Sequence, residues 1–221
     1  PDKSLYYHLK RNHFSRFFYS RALFPLAKVI KEMDITNGQK LDEIRNQIYN
    51  LIIAYRKMKN TGVIADFEES RFDECSNFTK IGKGSLGGKG RGIAFMTTWN
   101  IPDYGPNLQI QIPQTVVLCT DVFDEFMEKN GLYSFALSTN SNQKILETFM
   151  HAELPKHVQK CLLSLCKASK SPLAIRSSSM LEDSHYQPFA GIYSTYMIPY
   201  TEDAQLRSLQ LEAAIKGVFA S

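Results

Sequence analysis

The stretch KIGKGSLGGKGRGIAFM, residues 80–96, decides how the rest of the chain is interpreted, because it concentrates glycine and positive charge more than any other segment. Its glycines are Gly82, Gly84, Gly87, Gly88, Gly90 and Gly92. Glycine accepts φ > 0 and lets backbone N–H groups approach a ligand that a Cβ would keep at a distance. Lys83, Lys89 and Arg91 add charge, and a helix is predicted from about Gly88, whose N-terminus would favour an anion. The stretch therefore predicts a phosphate-binding loop that leads into a helix.

Two better-known phosphate motifs fit this stretch poorly. Gly82, Gly84 and Gly87 match the dinucleotide pattern GxGxxG, but the candidate strand before them, Phe78 to Ile81, is short and half polar. A Walker A loop would need a glycine at the position of Lys83 and a hydroxyl residue directly after Lys89, where glycine stands. A basic surface loop without a ligand remains the alternative interpretation.

Size and composition predict a globular protein with a substantial core, since the 221 residues are 43% hydrophobic. The sequence has no apolar run of about 18 residues and no signal peptide, so we expect a cytoplasmic protein without a membrane partner. The four cysteines include no CxxC pair and the histidines no HExxH pattern, which argues against a zinc site. The sequence begins without Met and stops at Ser221 within an apolar, helical-looking stretch (Leu206 to Phe219), and such ends suggest an excised fragment.

The N-terminal part of the chain differs in character from the rest. Residues 1–33 carry seven basic residues against two acidic ones, a net charge of +5 compared with +4 for the whole chain, and seven aromatic residues lie among them. This pattern suits a helical segment with one packed aromatic face and one solvated basic face. Nucleic-acid binding is the minor alternative. An amphipathic helix follows at residues 44–55, and we place a domain boundary near Ser76, so that residues 1–75 form a helical linker or extension.

The segment from Gln109 to Cys119, in which Ile110 and Ile112 alternate with polar residues, predicts a strand pair or one bent strand. Thr120 or Asp121 is predicted to cap the helix that follows and runs through Met127.

A second informative stretch, SPLAIRSSSMLEDSHYQPFAGIYSTYMIPY, spans Ser171 to Tyr200. It predicts a short buried strand from Leu173 to Ile175 and a longer one from Ile192 to Ile198. Arg176 stands at the exit of the first strand, where α/β proteins place ligand contacts. Its planar guanidinium can bind a phosphate through two hydrogen bonds. The alternative is a surface salt bridge from Arg176 to Glu182 or Asp183.

Together the two stretches resemble the N-terminal nucleotide-binding domain shared by pyruvate phosphate dikinase and phosphoenolpyruvate synthase. The family segment GGKG-x-x-L/I-x-x-M is matched by Gly87, Gly88, Lys89, Gly90, Ile93 and Met96. A Val-Pro strand and helix of the family resembles residues 112–127, although Thr115 stands where the family usually has glycine. The later family pattern is matched by Arg176, Ser177, Ser178, Glu182, Asp183, Phe189, Ala190, Gly191 and Thr195.

The resemblance implies an α/β (α+β) fold in which residues 76–221 form the first lobe of an ATP-grasp domain. By this analogy Lys89 and Arg176 would hold the phosphates of ATP beside Gly87, Gly88 and Gly90. The loop of Phe189, Ala190 and Gly191 would close over them. The carboxylates that bind Mg2+ would lie beyond Ser221, so no metal ligand is expected in this chain.

The family activity also requires other domains. ATP would phosphorylate a histidine on a separate phosphohistidine domain, and the phosphate would pass to pyruvate in a barrel domain. We therefore expect the parent chain to be an ATP-dependent phosphotransferase, and the isolated fragment to contain no catalytic residue and to be inactive. Met180, Pro188 and Ile192 replace threonine, serine and glutamine of the family. These changes favour the alternative of a non-catalytic nucleotide-sensing or interaction module.

Overall fold

The computed structural model describes residues 2–33, 41–73, 75–99, 101–102, 104–105, 107–180 and 191–221. It divides into two compact units, Pro1–Asn60 and Thr61–Ser221. The short strand Ala65–Asp66, which precedes the predicted boundary near Ser76, pairs with a strand of the second unit. Within the described residues no helix is both long and apolar enough to cross a membrane.

The first unit consists of helices α1 (Asp2–Lys10), α2 (His13–Ser20), α3 (Phe24–Glu32) and α4 (Leu41–Lys59). The amphipathic pattern predicted for α4 is confirmed, since Ile44 and Ile48 are buried and pack with Leu9 of α1. A buried hydroxyl joins α2 to α3, because Ser15 of α2 donates to the carbonyl oxygen of Ala27 of α3 at 2.9 Å.

Aromatic and basic side chains of residues 2–33 contact one another within this unit. The ammonium of Lys10 lies 4.7 Å from the ring centre of Tyr6, and the guanidinium of Arg11 lies 4.3 Å from that of Tyr7. Cation–π contacts of this kind occur widely in folded proteins. The interleaved basic and aromatic residues thus have a structural use inside the unit.

Among the residues that the structure describes, the second unit mixes helices with two small sheets. Strands β1 (Ala65–Asp66), β2 (Phe78–Ile81) and β3 (Thr115–Leu118) form a parallel sheet in that order. Strands β4 (Leu173–Arg176) and β5 (Thr195–Ile198) form an antiparallel pair. Its helices are α5 (Gly87–Met96), α6 (Thr120–Lys129), α7 (Leu132–Ser138), α8 (Asn142–His151), α9 (Lys156–Ala168) and α10 (Ala204–Phe219). The predicted mixture of helix and sheet is therefore confirmed.

Two apolar clusters support the second unit. The larger one has Phe126, Leu154 and Val158 almost fully buried at its centre and includes residues of α6, α8, α9 and α10. The smaller one packs α5 against the parallel sheet through Ala94, Phe78 and Val117. The smaller cluster therefore fixes the face that α5 turns toward the strands.

Arg207 holds the entry to β4. Its side chain is fully buried and donates to the carbonyl oxygen of Ser169 at 2.6 Å and to that of Ser171. These carbonyl groups follow the C-terminus of α9, where a positive charge is favourable. The buried guanidinium thus joins α10 to the turn from which β4 begins.

Two strand predictions need correction. The segment from Gln109 to Cys119 was predicted as a strand pair or one bent strand, but only Thr115–Leu118 is a strand. The strand predicted as buried from Leu173 is half-exposed, because Ala174 and Arg176 face outward and only alternate residues meet the core. Alternation with period two is the normal pattern of a strand that has one solvated face.

Candidate functional site

The glycine-rich stretch begins where the parallel strand β2 ends. The sequence-based strand from Phe78 to Ile81 coincides with β2, and the predicted helix begins at Gly87, one residue before the expected position. β3 lies parallel to β2 and leads into α6. The loop 82–86 and the start of α6 therefore leave the same edge of the sheet, which is the edge where open α/β sheets bind ligands.

Protein side chains already accept hydrogen bonds from the loop. Lys83 donates its backbone N–H to Oδ2 of Asp121 at 2.7 Å, and Gly84 donates to Oδ1 at 2.9 Å. Ser85 donates its backbone N–H to Oγ1 of Thr120 at 3.0 Å. The loop N–H groups were predicted to bind phosphate. At Lys83, Gly84 and Ser85 they instead donate to side chains in the first turn of α6.

The helix cap predicted at Thr120 or Asp121 is wrong by one or two positions. Cys119 is the N-cap of α6 and makes no capping hydrogen bond through its side chain. Both predicted residues lie in the first turn of the helix instead. Their polar side chains bind the neighbouring loop, a non-local use that a capping rule based on adjacent residues does not consider.

Gly82 makes room for this carboxylate. Its φ is +101°, and a Cβ built on it would lie 2.5 Å from Oδ1 of Asp121. A side chain here would be strained and would also displace the acceptor of the loop N–H groups. Lys80 secures the same residue from the strand, since its Nζ donates to the carbonyl oxygen of Gly82 at 3.2 Å and pairs with Asp66 at 2.8 Å.

The Asp121 carboxylate is stabilised in its charged form. Desolvation by burial acts to raise its pKa, but hydrogen bonds from the backbone N–H groups of Lys83 and Gly84 and from the start of α6 outweigh that effect. The pKa of Asp121 therefore lies below the ordinary value of 3.8. A charged acceptor makes the loop hydrogen bonds stronger than neutral ones.

Ser178 joins the second informative stretch to the first turn of α5. Gly88 donates its backbone N–H to the carbonyl oxygen of Ser178 at 2.8 Å, and Gly90 donates to Oγ of the same residue at 2.8 Å. The Ser178 hydroxyl in turn donates to the carbonyl oxygen of Leu86 at 2.7 Å. At Gly87 the φ is +73°, and a Cβ would lie 1.8 Å from the Ser178 carbonyl oxygen. Backbone contact this close requires glycine.

This junction brings two of the predicted site elements together. Arg176 is the last residue of β4, as predicted, with its side chain exposed and Thr195 opposite it on β5. Ser178 follows two residues later and contacts the start of α5, the helix that carries Lys89. The structure thus places the end of β4 against the GGKG segment.

The two predicted phosphate-binding cations differ in burial. The Nζ atom of Lys89 is buried, although the residue as a whole is only half-buried. Arg176 is exposed, as are Lys83 and Arg91. These three exposed cations can attract an anionic ligand, whereas the exposed carboxylate of Asp121 beside Lys83 opposes that attraction.

Of the predicted closing loop, Phe189 and Ala190 lie outside the described residues, as does Pro188. Gly191 is exposed with a φ of +82°. Tyr193 donates its hydroxyl to Oγ of Ser179 at 3.1 Å. This hydrogen bond ties the residues before position 181 to those after position 190.

Three residues with clear structural roles received no such role in the sequence analysis: Thr120, Asp121 and Ser178. Ser178 was matched only as part of the Arg-Ser-Ser pattern, and the other two were assigned to a helix cap. Their loop partners lie 35 to 92 positions away in sequence. The available signal was the match to the family pattern, which includes Ser178 and the segment that contains α6.

Comparison with known proteins supplies independent information on this site. A family model described as "Pyruvate phosphate dikinase, AMP/ATP-binding domain" matches residues 83–221, more than half of the chain. Searches of curated proteins and of solved structures find no match. The match begins inside the glycine-rich loop and includes the α6 start, the end of β4 and Ser178. The chain therefore belongs to the family of the AMP/ATP-binding domain of pyruvate phosphate dikinase.

Proposed function

We propose that residues 76–221 form the first lobe of an ATP-grasp domain and bind the phosphates of ATP at the start of α5. The observation that carries this proposal is the Ser178 junction, where two N–H groups of the GGKG segment and the end of β4 meet within 2.8 Å contacts. It brings the two stretches that match the family pattern into one place. Residues 1–75 are proposed to be a mainly helical linker or extension, whose short strand β1 joins the parallel sheet of the lobe.

In this proposal side chains provide the main phosphate contacts. Arg176 offers an exposed planar guanidinium that can bind phosphate oxygens through two hydrogen bonds. Lys89 provides a point charge from the first turn of α5, and Gly87, Gly88 and Gly90 keep that turn close to the ligand. The predicted closing residues Phe189, Ala190 and Gly191 stay part of the proposed site.

The described carboxylate beside the loop does not suit Mg2+. Both oxygens of Asp121 accept backbone N–H groups, at 2.7 and 2.9 Å, whereas a metal ligand must direct its lone pairs toward the ion. We therefore do not assign Asp121 as a metal ligand. The family resemblance places those carboxylates beyond Ser221.

We infer further that the lobe serves a phosphotransferase of the phosphoenolpyruvate synthase or pyruvate phosphate dikinase type. There, ATP phosphorylates a histidine on a separate domain, from which the phosphate passes to pyruvate. This part of the proposal rests on family membership. Phosphoryl transfer depends on positioning the reacting groups and on stabilising the charge of the phosphates. A phosphate-binding lobe can contribute to both.

One observation favours the second candidate function, a non-catalytic nucleotide-sensing or interaction module. Met180 and Ile192 are 57% and 56% exposed, and they stand where the family commonly has polar residues. Exposed apolar side chains are typical of surfaces that contact other proteins. Such a module would bind ATP but would not support phosphorylation of a histidine domain.

The proposal is tested by mapping amide chemical shifts of isotope-labelled protein while ATP is added. We expect the largest shifts at Gly87–Gly90 and around Arg176, and a loss of these shifts in Lys89→Ala. Shifts confined to residues 2–33 would contradict the site and favour nucleic-acid-like binding by the basic helices. Lys160→Ala, which removes an exposed cation from α9, is the matched control.

A second experiment separates the enzyme from the sensing module. The chain is combined with the second lobe and the phosphohistidine domain of a relative, with ATP and magnesium, and phosphohistidine is detected by its acid lability. Phosphorylation above the level seen without the chain supports the phosphotransferase. ATP binding without phosphorylation, under conditions in which the relative's own two lobes phosphorylate the same domain, supports the sensing module.

A further inference from the structure

Asp121 and Thr120 are two polar residues near the proposed site that the family pattern does not assign to any role. Together they accept three consecutive backbone N–H groups, those of Lys83, Gly84 and Ser85, at 2.7, 2.9 and 3.0 Å. Both side chains are exposed at the start of α6. Exposed polar side chains can bind water instead of protein groups. The hydrogen bonds that Asp121 and Thr120 accept from the loop therefore indicate a specific function.

We propose that Asp121 and Thr120 are positioning residues of the nucleotide site, which hold the loop and thereby set the place of the first turn of α5. This inference rests on the proposed function, since it concerns the same site. It assigns the loop N–H groups to the protein itself and leaves phosphate recognition to side chains.

Ser85 transmits the position from one helix to the other. Its N–H donates to Oγ1 of Thr120 at 3.0 Å, and its carbonyl oxygen accepts the Thr120 N–H at 3.1 Å. Its own hydroxyl oxygen accepts the N–H of Gly87 at 3.2 Å. The start of α6 is therefore connected through one residue to the first residue of α5, two positions before Lys89.

Ser178, which follows β4, holds the same turn of α5 through hydrogen bonds with Gly88, Gly90 and Leu86. The turn that carries Lys89 is thus fixed on one side by α6 and on the other by the residues after β4. Fixation from two sides defines the position of a charged group more narrowly than either contact alone. Small displacements matter for phosphoryl transfer, because misplacement by about 1 Å can cost roughly 100-fold in rate.

The alternative is that Asp121 competes with phosphate for the loop N–H groups. The packing argues against this alternative, because the Asp121 carboxylate occupies the space that a side chain at position 82 would fill. Its Oδ1 lies 2.5 Å from the position of a Cβ on Gly82. An acceptor on the same chain also has a high effective concentration, which a free ligand must exceed to replace it. The two hypotheses predict opposite effects on ATP binding when the carboxylate is removed.

The first arm of the test needs no nucleotide. Hydrogen exchange of backbone amides is measured in wild type, Asp121→Asn, Thr120→Val and Thr120→Ser. We expect exchange to rise at least about tenfold at 83–85 and at 87–90 in the first two variants and to stay near wild type in Thr120→Ser, which keeps the hydroxyl. Unchanged exchange at 87–90 in Asp121→Asn and Thr120→Val would overturn the proposal. Glu128→Gln removes a carboxylate from the exposed side of α6 and is the charge control.

The second arm measures the Kd of ATP by calorimetry, well below the melting temperature of each variant. We expect a Kd about five- to fiftyfold higher in Asp121→Asn and Thr120→Val, with Thr120→Ser and Glu128→Gln near wild type. Tighter or unchanged ATP binding in Asp121→Asn would overturn the proposal. A wild-type affinity that is insensitive to Lys89→Ala would instead contradict the proposed function, and the exchange data would then decide the positioning role by themselves.

Discussion

Gly90 donates its backbone N–H to the side-chain oxygen of Ser178 across 88 positions of sequence, at 2.8 Å. The same hydroxyl donates to the carbonyl oxygen of Leu86 at 2.7 Å, so one side chain uses both of its hydrogen-bonding functions on the first turn of α5. A serine hydroxyl can donate and accept a hydrogen bond at the end of a very short side chain, a property that it shares with threonine and, more weakly, with cysteine. Oγ of Ser178 therefore adds two hydrogen bonds to the junction that the Ser178 carbonyl oxygen makes with the N–H of Gly88.

Ser178→Ala removes that atom and is expected to lower the free energy of unfolding by about 1–3 kcal/mol, because the polar groups of Leu86 and Gly90 lose their present partner. Urea denaturation followed by circular dichroism measures the change. Ser134→Ala removes only a weak 3.4 Å hydrogen bond at an exposed position of α7, so it should alter the free energy of unfolding by only about a few tenths of a kcal/mol. Equal effects of the two substitutions would show that the junction contributes nothing special.

Two glycines of α5 form a matched pair for the backbone argument. Gly87→Ala would place a Cβ 1.8 Å from the Ser178 carbonyl oxygen at a φ of +73°, and we expect a loss of about 2–5 kcal/mol from strain and overlap. Gly92 lies inside the helix, and a Cβ there would meet nothing within 4 Å beyond its chain neighbours and the backbone of its own helix, so we expect Gly92→Ala to gain about 0.5–1 kcal/mol. Thermal unfolding of the two variants beside wild type distinguishes the predicted signs.

The pH dependence of stability tests the charge on Asp121. Its pKa in the folded protein is below 3.8, so the carboxylate adds stability that is complete above the unfolded pKa and is lost as the pH falls through the folded one. We expect the stability of wild type to decline between about pH 4 and pH 2 more steeply than that of Asp121→Asn. Denaturation at pH 6 and at pH 2.5 provides the comparison, and parallel declines would contradict it.

Local patterns predicted several elements of this fold correctly. Phe78 to Ile81 is a strand as expected, the helix after the glycines begins within one residue of its predicted start, and Arg176 ends its strand. In each case the decisive information lies within a few neighbouring residues, such as a change from apolar alternation to glycine.

The connections between distant segments could not be predicted in this way. Asp121 binds a loop 37 and 38 positions before it, and nothing in its own neighbourhood distinguishes that role from a helix cap. The segment from Gln109 failed for a related reason, since alternating Ile110 and Ile112 have strand-like spacing but no strand beside them to pair with among the described residues. The family pattern correctly grouped Ser178 with the GGKG segment, although without the contact that joins them.

Arg176 allows the geometry of phosphate recognition to be tested separately from charge. Arg176→Ala is expected to weaken ATP binding by about 1.5–3 kcal/mol, or roughly tenfold to 150-fold. Arg176→Lys keeps the positive charge but loses the planar pair of donors, so we expect an intermediate Kd. Calorimetry gives the three affinities. Full recovery in Arg176→Lys would indicate attraction by charge alone, and unchanged binding in both variants would remove Arg176 from the site.

Lys89 raises a different question, because its Nζ is buried in the structure while a phosphate ligand comes from solvent. A methionine of similar length can fill the same space without the charge. We expect Lys89→Met to raise the Kd of ATP by about tenfold or more, since a charge-assisted contact is lost. A raised Kd together with a melting temperature close to that of wild type identifies a residue that acts on the ligand. Calorimetric binding and thermal unfolding on the same preparation supply both numbers, with Lys160→Met as the exposed control. A fall in melting temperature with unchanged ATP affinity would make Lys89 a structural residue of α5 and would contradict its assignment to the phosphates.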